Sequence, residues 1–318
     1  MVLRLTSSKY RNIQKDNMKK SPILRTRFAY IRLISLTLAF LISPLPAFSH
    51  SHSLQLVQGA GNTIVERIQV PPKFKRIEVE RNSFAGYLRE YPLKEAGRPL
   101  LLHNGNEKEN QDAHACIFDM PVESFLQESS QSIVYLYANY LYSTKQEDII
   151  SFYLTNGQSC RWTDWLEDSK RKRNLRAEVA GSLKKWTQYE KAFSKPDKDL
   201  CFKKYLRNVF AHTSPLSIME YESEYVEIKS IEIGDILFDL SNPGNICMVV
   251  DICQEAETGE KAYLLAKGSS PASEFYVIKN PKRVNDPWYH EEDFAMKVHT
   301  PEHVFPQDSW RKVLWKRF

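Results

Sequence analysis

The spacing of apolar residues changes partway along this chain, and the change limits its fold more than any other feature. Before residue 228 apolar side chains recur at three- and four-residue steps. After it they come in short runs separated by Gly, Pro and Asn. In the first part Val122, Phe125, Leu126, Ile133, Leu136, Tyr137, Tyr140 and Leu141 form one stripe. That spacing predicts a helix over 121–142 with Pro121 in its first turn. Further helices are expected at 84–89, stopped by Pro92, from Arg161 onward, and at 200–210 and 216–219. Residues 167–185 are read as a charged surface tract. Asn104-Gly105, between two apolar runs, predicts a hairpin-like reversal. In the second part strands are expected at 236–238, 246–252, 263–266 and 275–278. The fold class is therefore α+β: helices first, then a C-terminal antiparallel sheet of about four strands packed against them. The proline-punctuated tail is expected to wrap the surface and finish in a helical turn over 309–314.

The N-terminus has the three parts of a secretory signal. Lys19, Lys20, Arg25, Arg27 and Arg32 precede the apolar decamer LISLTLAFLI at 33–42, and Ala47-Phe48-Ser49 supplies small residues before His50. We expect residues 1–49 to be a signal peptide, 50–75 an exposed arm and 76–318 the domain. Spanning a bilayer takes about 20 apolar residues. Arg32 and the Ser43-Pro44 turn bound the apolar stretch on either side, so no stable transmembrane anchor is expected. Taking the nine basic and one acidic side chains of residues 1–49 from the totals of 44 and 39 leaves 35 and 38, a net of −3. That balance argues against a nucleic-acid partner. Lys170-Arg171-Lys172-Arg173 is read as a solvated helix edge or loop.

The five cysteines (Cys116, Cys160, Cys201, Cys247 and Cys253) form no CxxC or Cys/His pattern, so no metal site is expected and no cofactor. In an oxidising compartment one or two disulfides can form and at least one thiol is left over. Cys247 lies in an apolar run and reads as a buried free thiol. His50 and His52 offer metal ligands only if the mature chain starts there; an unstructured start is the plainer reading.

The strings KKYLRNVFAHTSPLS, IEIGDILFDLSNPGNICMVVDI, YLLAKGSSPASEFYVIKNP and TPEHVF, with SFAGYLREYPL and FYLTNGQSCRWTDW before them, resemble an exported bacterial family, the domain of unknown function 4846. The resemblance runs over residues 76–305. It implies location and architecture rather than chemistry. The Gly-Asp, strand, Pro-Gly, strand arrangement is also similar to the sheet entrance of NlpC-type and CHAP-type cell-wall amidases. There a histidine opens the second strand and serves a cysteine nucleophile at a helix N-terminus.

In the family the corresponding stretch reads Pro-Gly-His; here the third residue is Asn245. An amide can orient a group but cannot accept its proton. Other family positions differ too: Lys267 and Gly268 replace a glutamine-serine pair. Ser273 and Tyr276 stand for a glutamine and a histidine, and Tyr135, Tyr137 and Asn139 for an Arg-x-Arg-x-Glu stretch. The resemblance thus implies a kept scaffold with an altered pocket, near Asp235, Gly244, Asn245, Asp251 and Lys267. Asp235 reads first as the cap of its turn, and Asp251 as a strand-end carboxylate facing either that cleft or solvent. Cys201, at the start of an apolar-periodic helix, is the weak candidate nucleophile; as a small buried residue it needs no role. Trp162, Trp165, Trp186 and Trp288 form either a glycan-stacking surface or core packing. The expected function is non-catalytic binding at the cell envelope, with envelope peptide or glycan as partner; the alternative is a hydrolase acting on the same material.

Overall fold

The centre of the structure is one ten-residue strand, Ile246–Glu255, whose first eight side chains are all buried. A strand buried on both faces reads as an unbroken apolar run, and ICMVVDIC has that character apart from one aspartate. Each large side chain buried there contributes about 1.5–3 kcal/mol. The computed structural model describes residues 55–182 and 197–317. The expected leader, His50, His52 and Trp186 lie outside them.

In chain order the first elements are α1 (Ile64–Arg67), β1 (Phe74–Arg76), α2 (Phe84–Glu90), β2 (His114–Ile117) and α3 (Ser129–Ser143). Then come β3 (Ser151–Tyr153), β4 (Ser159–Arg161), α4 (Trp162–Ser182), α5 (Lys198–His212) and α6 (Pro215–Tyr221). The last part holds β5 (Ser223–Tyr225), β6 (Ile236–Phe238), β7 (Ile246–Glu255), β8 (Lys261–Lys267) and β9 (Tyr276–Ile278). It ends with β10 (Tyr289–His290), β11 (Val298–His299), β12 (Val304–Phe305) and β13 (Trp310–Val313).

The fold is α+β, as expected, but the sheet has nine strands rather than four. Its order is β2-β9-β8-β7-β6-β13-β5, with β1 paired to β7 and β10 to β8. The four strands read from the sequence are its middle, β9-β8-β7-β6. The other five are two to four residues long, too short for alternation to show, and come from both ends of the chain. The expected last helical turn is one of them: Trp310 and Arg311 pair with Leu237 and Ile236, and Arg311 to Val313 pair with β5 on the other side. The helix expected from Pro121 starts eight residues later, because Gln127 folds back to hold the preceding turn through Glu123 N (2.9 Å) and Pro121 O (2.9 Å). The charged tract after Glu167 continues α4.

The segment expected to be an exposed arm is integrated into the domain. Leu56, Ile64 and Ile68 are buried, and Leu56 N donates to Asn285 O (3.0 Å). Thr63 caps α1 by accepting from Glu66 N. A cap residue followed by two apolar residues four apart was the signal for this turn. All five cysteines are free.

Side chains alternate along strands, so register fixes which residues share a face. Leu237 pairs with Cys247, Met248 with Ala266 and Lys267 with Tyr276, which sets Leu237, Cys247, Lys267 and Tyr276 on one face. The C-terminal segment covers that face: Tyr263 packs its ring on Phe294 (5.6 Å) and Trp310 (5.8 Å). A bulge between Val249 and Asp251 shifts the alternation and points Asp251 to the other face, where it meets Arg89 of α2.

Candidate functional site

A polar cluster lies where the C-terminal segment crosses the ends of β6, β8 and β9. Its side chains come from four places, each held by local chemistry. Lys108 follows the Asn104-Gly105 reversal, in which Gly105 adopts φ 85° and Leu102 N bonds Asn106 O (2.8 Å). Lys267 ends β8, and Tyr276 begins β9 beside it. Glu302 and His303 sit in the turn joining β11 to β12. Thr300 locks that turn: its N–H and Oγ1 both donate to His303 O (2.8 Å each), and Oγ1 accepts from His303 N (3.0 Å). Pro301 fixes φ between them. The locked turn aims its two functional side chains at different partners.

Glu302 receives three groups. Lys108 Nζ bonds Oε1, the Tyr276 hydroxyl donates to Oε2 at 2.6 Å, and Lys267 Nζ stands 3.6 Å from Oε2. Two cations therefore share one carboxylate. The side chains of Lys108, Lys267 and Glu302 are 12, 7 and 18 % exposed, so little water screens them. Burial pulls the Lys108 ammonium below its ordinary range, and the charge of Lys267 adds to that shift.

His303 turns the other way. Its Nε2 lies 2.7 Å from Asp239 Oδ2, at the end of β6. Burial alone would raise the Asp239 carboxyl. Hydrogen bonds from Ser241 and His303 outweigh it and hold the carboxyl below the usual carboxylate range. Asp239 N also donates to the carbonyl of Asn245 (3.2 Å). Asp239 thus links an imidazole on one side to the Asn245 backbone on the other.

The structure separates the residues expected to form one pocket. Lys267 is in the cluster, and half-buried Asn245 adjoins it through Asp239. Gly244 is exposed, and a methyl group there would meet only Asn242 Oδ1 at 3.9 Å. Asp235 is buried in its turn, accepting from Glu232 N (2.8 Å) and Val313 N (3.1 Å); this is the capping role, extended across the sheet to β13. Asp251 lies on the opposite face. Arg76 Nε (2.6 Å) and Arg89 Nε (2.7 Å) hold its two oxygens. Asp251 therefore faces away from Lys267, and Asp235 is engaged by backbone N–H groups.

Cys201 is buried in the first turn of α5, and His212 is eleven residues further along that helix, about 16 Å away. Cys247 lies on the cluster's face, but burial pushes its thiol up to about 12, which the nearby charge of Lys267 offsets only in part. Trp162 and Trp288 are core residues. Tyr135 and Asn139 line a groove of about 330 Å³ between α3 and α5, and Tyr137 lines a cleft of about 810 Å³ beside α2. The three α3 positions read as departures from the family pattern therefore line other surfaces than the cluster. The Tyr137 and Tyr140 hydroxyls in the larger cleft are already bonded to Trp315 O and Asn82 O.

The residues missed in the sequence are Lys108, Asp239, Tyr276 as a donor, Glu302 and His303. Their signal was present in two turns: Asn-Gly ahead of Lys108, and Thr-Pro ahead of adjacent Glu and His. Among the described residues no group of three or more His, Cys, Asp and Glu side chains could hold a metal, and no helix is long and apolar enough to cross a membrane.

Compared with known proteins, the chain matches the family described as domain of unknown function (4846) over residues 64–312. The match begins at α1, inside the segment expected to be an arm. No curated protein and no solved structure matches.

Proposed function

This chain belongs to the domain of unknown function (4846) family, and from that premise we propose that it is an exported, non-catalytic binding protein of the cell envelope. Its binding site is the Lys108–Lys267–Tyr276–Glu302 cluster, and its partner is envelope peptide or glycan. One observation carries this reading: two nearly buried lysines converge on one carboxylate. Burying charge costs free energy unless it is paired, and here one positive charge has no dedicated partner within the cluster. The leader-like N-terminus supports export.

The test uses protein recovered from an exporting host. The wild-type chain is expected to sediment with an envelope fraction and to release no soluble product over hours. Lys267→Ala is expected to stay in the supernatant. Equal sedimentation of the two proteins defeats the binding reading.

A hydrolase is the second reading, and the His303–Asp239 pair favours it, since a carboxylate that orients an imidazole is the base half of a nucleophilic site. The nucleophile half lacks support: Cys247 holds its proton up to about 12, and Cys201 is buried in the first turn of α5, whereas the pair comes from the end of β6 and the β11–β12 turn. Product release that disappears in His303→Ala would replace the first reading with this one.

A further inference from the structure

We infer that the seat between Lys108 and Lys267 is a site for a ligand's carboxylate, held in this structure by the chain's own Glu302. The inference rests on the binding reading above and adds the ligand's chemical class and the way it enters.

The seat has the donor set a carboxylate uses. Lys108 Nζ addresses one oxygen, while the Tyr276 hydroxyl and Lys267 Nζ address the other. A carboxylate offers about four lone-pair sites, so a ligand carboxylate placed where Glu302 lies would meet three donors at once. The donors come from the sheet and from the reversal at 104–105, whereas the carboxylate comes from a separate element, the 298–305 hairpin.

That hairpin joins the rest of the fold through side chains rather than through the main sheet's ladder. It pairs only Val298 with Phe305 and His299 with Val304, in a two-stranded sheet of its own. An isolated two-stranded ladder is marginal in water. Val304 is 41 % exposed, and Met296, just before β11, is 77 % exposed. Its anchors are Val298 and Phe305, both buried in the core at the base of the ladder, and the His303–Asp239 pair at the tip. Glu302 lies in the turn, apart from the buried base, so its side chain can swing outward while that base and the sheet-borne donors stay in place.

A surrogate of this kind competes with the ligand as an intramolecular anion, at an effective concentration of order millimolar or above. Removing it should tighten ligand binding, whereas removing a purely structural residue would not.

The experiment titrates the full processed chain with acetylglycine, a peptide-terminal carboxylate, and in parallel with acetylglycinamide and inorganic phosphate. Glu302→Ala and the milder Glu302→Gln are both expected to bind acetylglycine at least tenfold more tightly than wild type. Neither variant is expected to bind the amide. Adding Lys267→Ala to either variant is expected to abolish the gain. The inference is overturned if neither variant gains affinity, if the amide binds as well as the acid, or if phosphate binds more tightly than acetylglycine. Envelope sedimentation of Lys267→Ala is read separately. If sedimentation needs Lys267 but acetylglycine shows no gain, the carboxylate inference fails and the binding site stands.

Discussion

On each face of the sheet one carboxylate meets two cations, and the two arrangements serve different ends. On the helix face Asp251 is fully buried between Arg76 and Arg89. The spare guanidinium donors are used as well: Arg76 reaches Ile68 O, and Arg89 reaches Ile77 O (2.8 Å) and Ile252 O (3.2 Å). Asp251 also accepts from Ile252 N (2.9 Å). This unit ties β1, α2 and the bulge of β7 together with every group matched. On the other face Glu302 meets two lysines, which carry no rigid fork, and it arrives on a short hairpin. A saturated buried pair fixes a fold; a shared carboxylate at a hairpin tip leaves room for exchange.

If that contrast is right, the largest effect comes from breaking the saturated pair. Arg89→Ala leaves Asp251 half-paired in the core and is expected to cost about 3–5 kcal/mol, a fall in Tm on the order of 10 °C in thermal unfolding. The same truncation at Lys267 is expected to cost about 1 kcal/mol or less, because Glu302 keeps Lys108, Tyr276 and some access to water. Comparable losses at the two sites would erase the distinction.

A third buried carboxylate sharpens the comparison, since among the described residues no cation pairs with it. Glu222 accepts from Tyr153 N (2.9 Å), while its Oε2 has no partner within hydrogen-bond geometry and Trp315 Nε1 stands beside it outside that geometry. Burial raises its carboxyl to about 8. Because the folded value exceeds the unfolded one, the stability this group contributes is complete below about pH 4.5. It is lost as pH rises through about 8. Glu222→Gln is expected to remove that slope, with a stability gain that grows from pH 4.5 and levels above pH 8 at about 1–3 kcal/mol in urea unfolding. A variant with the wild-type pH slope would show that Glu222 is not the group responsible.

The smallest effect is expected at the glycine of the Pro243-Gly244 pair. Gly244→Ala should change stability by about 0.5 kcal/mol or less, because its backbone is not left-handed and the space beside it is open. A loss above about 2 kcal/mol would show that the Pro-Gly pair is needed for the approach to β7.

These contrasts explain what the sequence could reveal. The central strands were legible because ICMVVDIC and YLLA are long enough to display a buried run. Strands such as Trp310–Val313 were not, since four residues ending beside a 3₁₀ turn fit either period. Lys267 and Asn245 could be located on their elements, because both lie at strand ends next to turn-forming residues. Asp251 was misplaced by a single bulge, which reverses the face of every later side chain and leaves no compositional trace. Glu302 and His303 were legible as a turn but not as a site, since their partners are 26 to 194 residues away.

The most direct test pairs stability with binding in one variant, Lys267→Ala. Urea unfolding and envelope sedimentation are measured on the same preparation. Stability within about 1 kcal/mol of wild type, together with loss of sedimentation, is the result expected of a cation kept for a ligand. A destabilisation matching that of Arg89→Ala, or unchanged sedimentation, would show that the Lys267–Glu302 contact is structural.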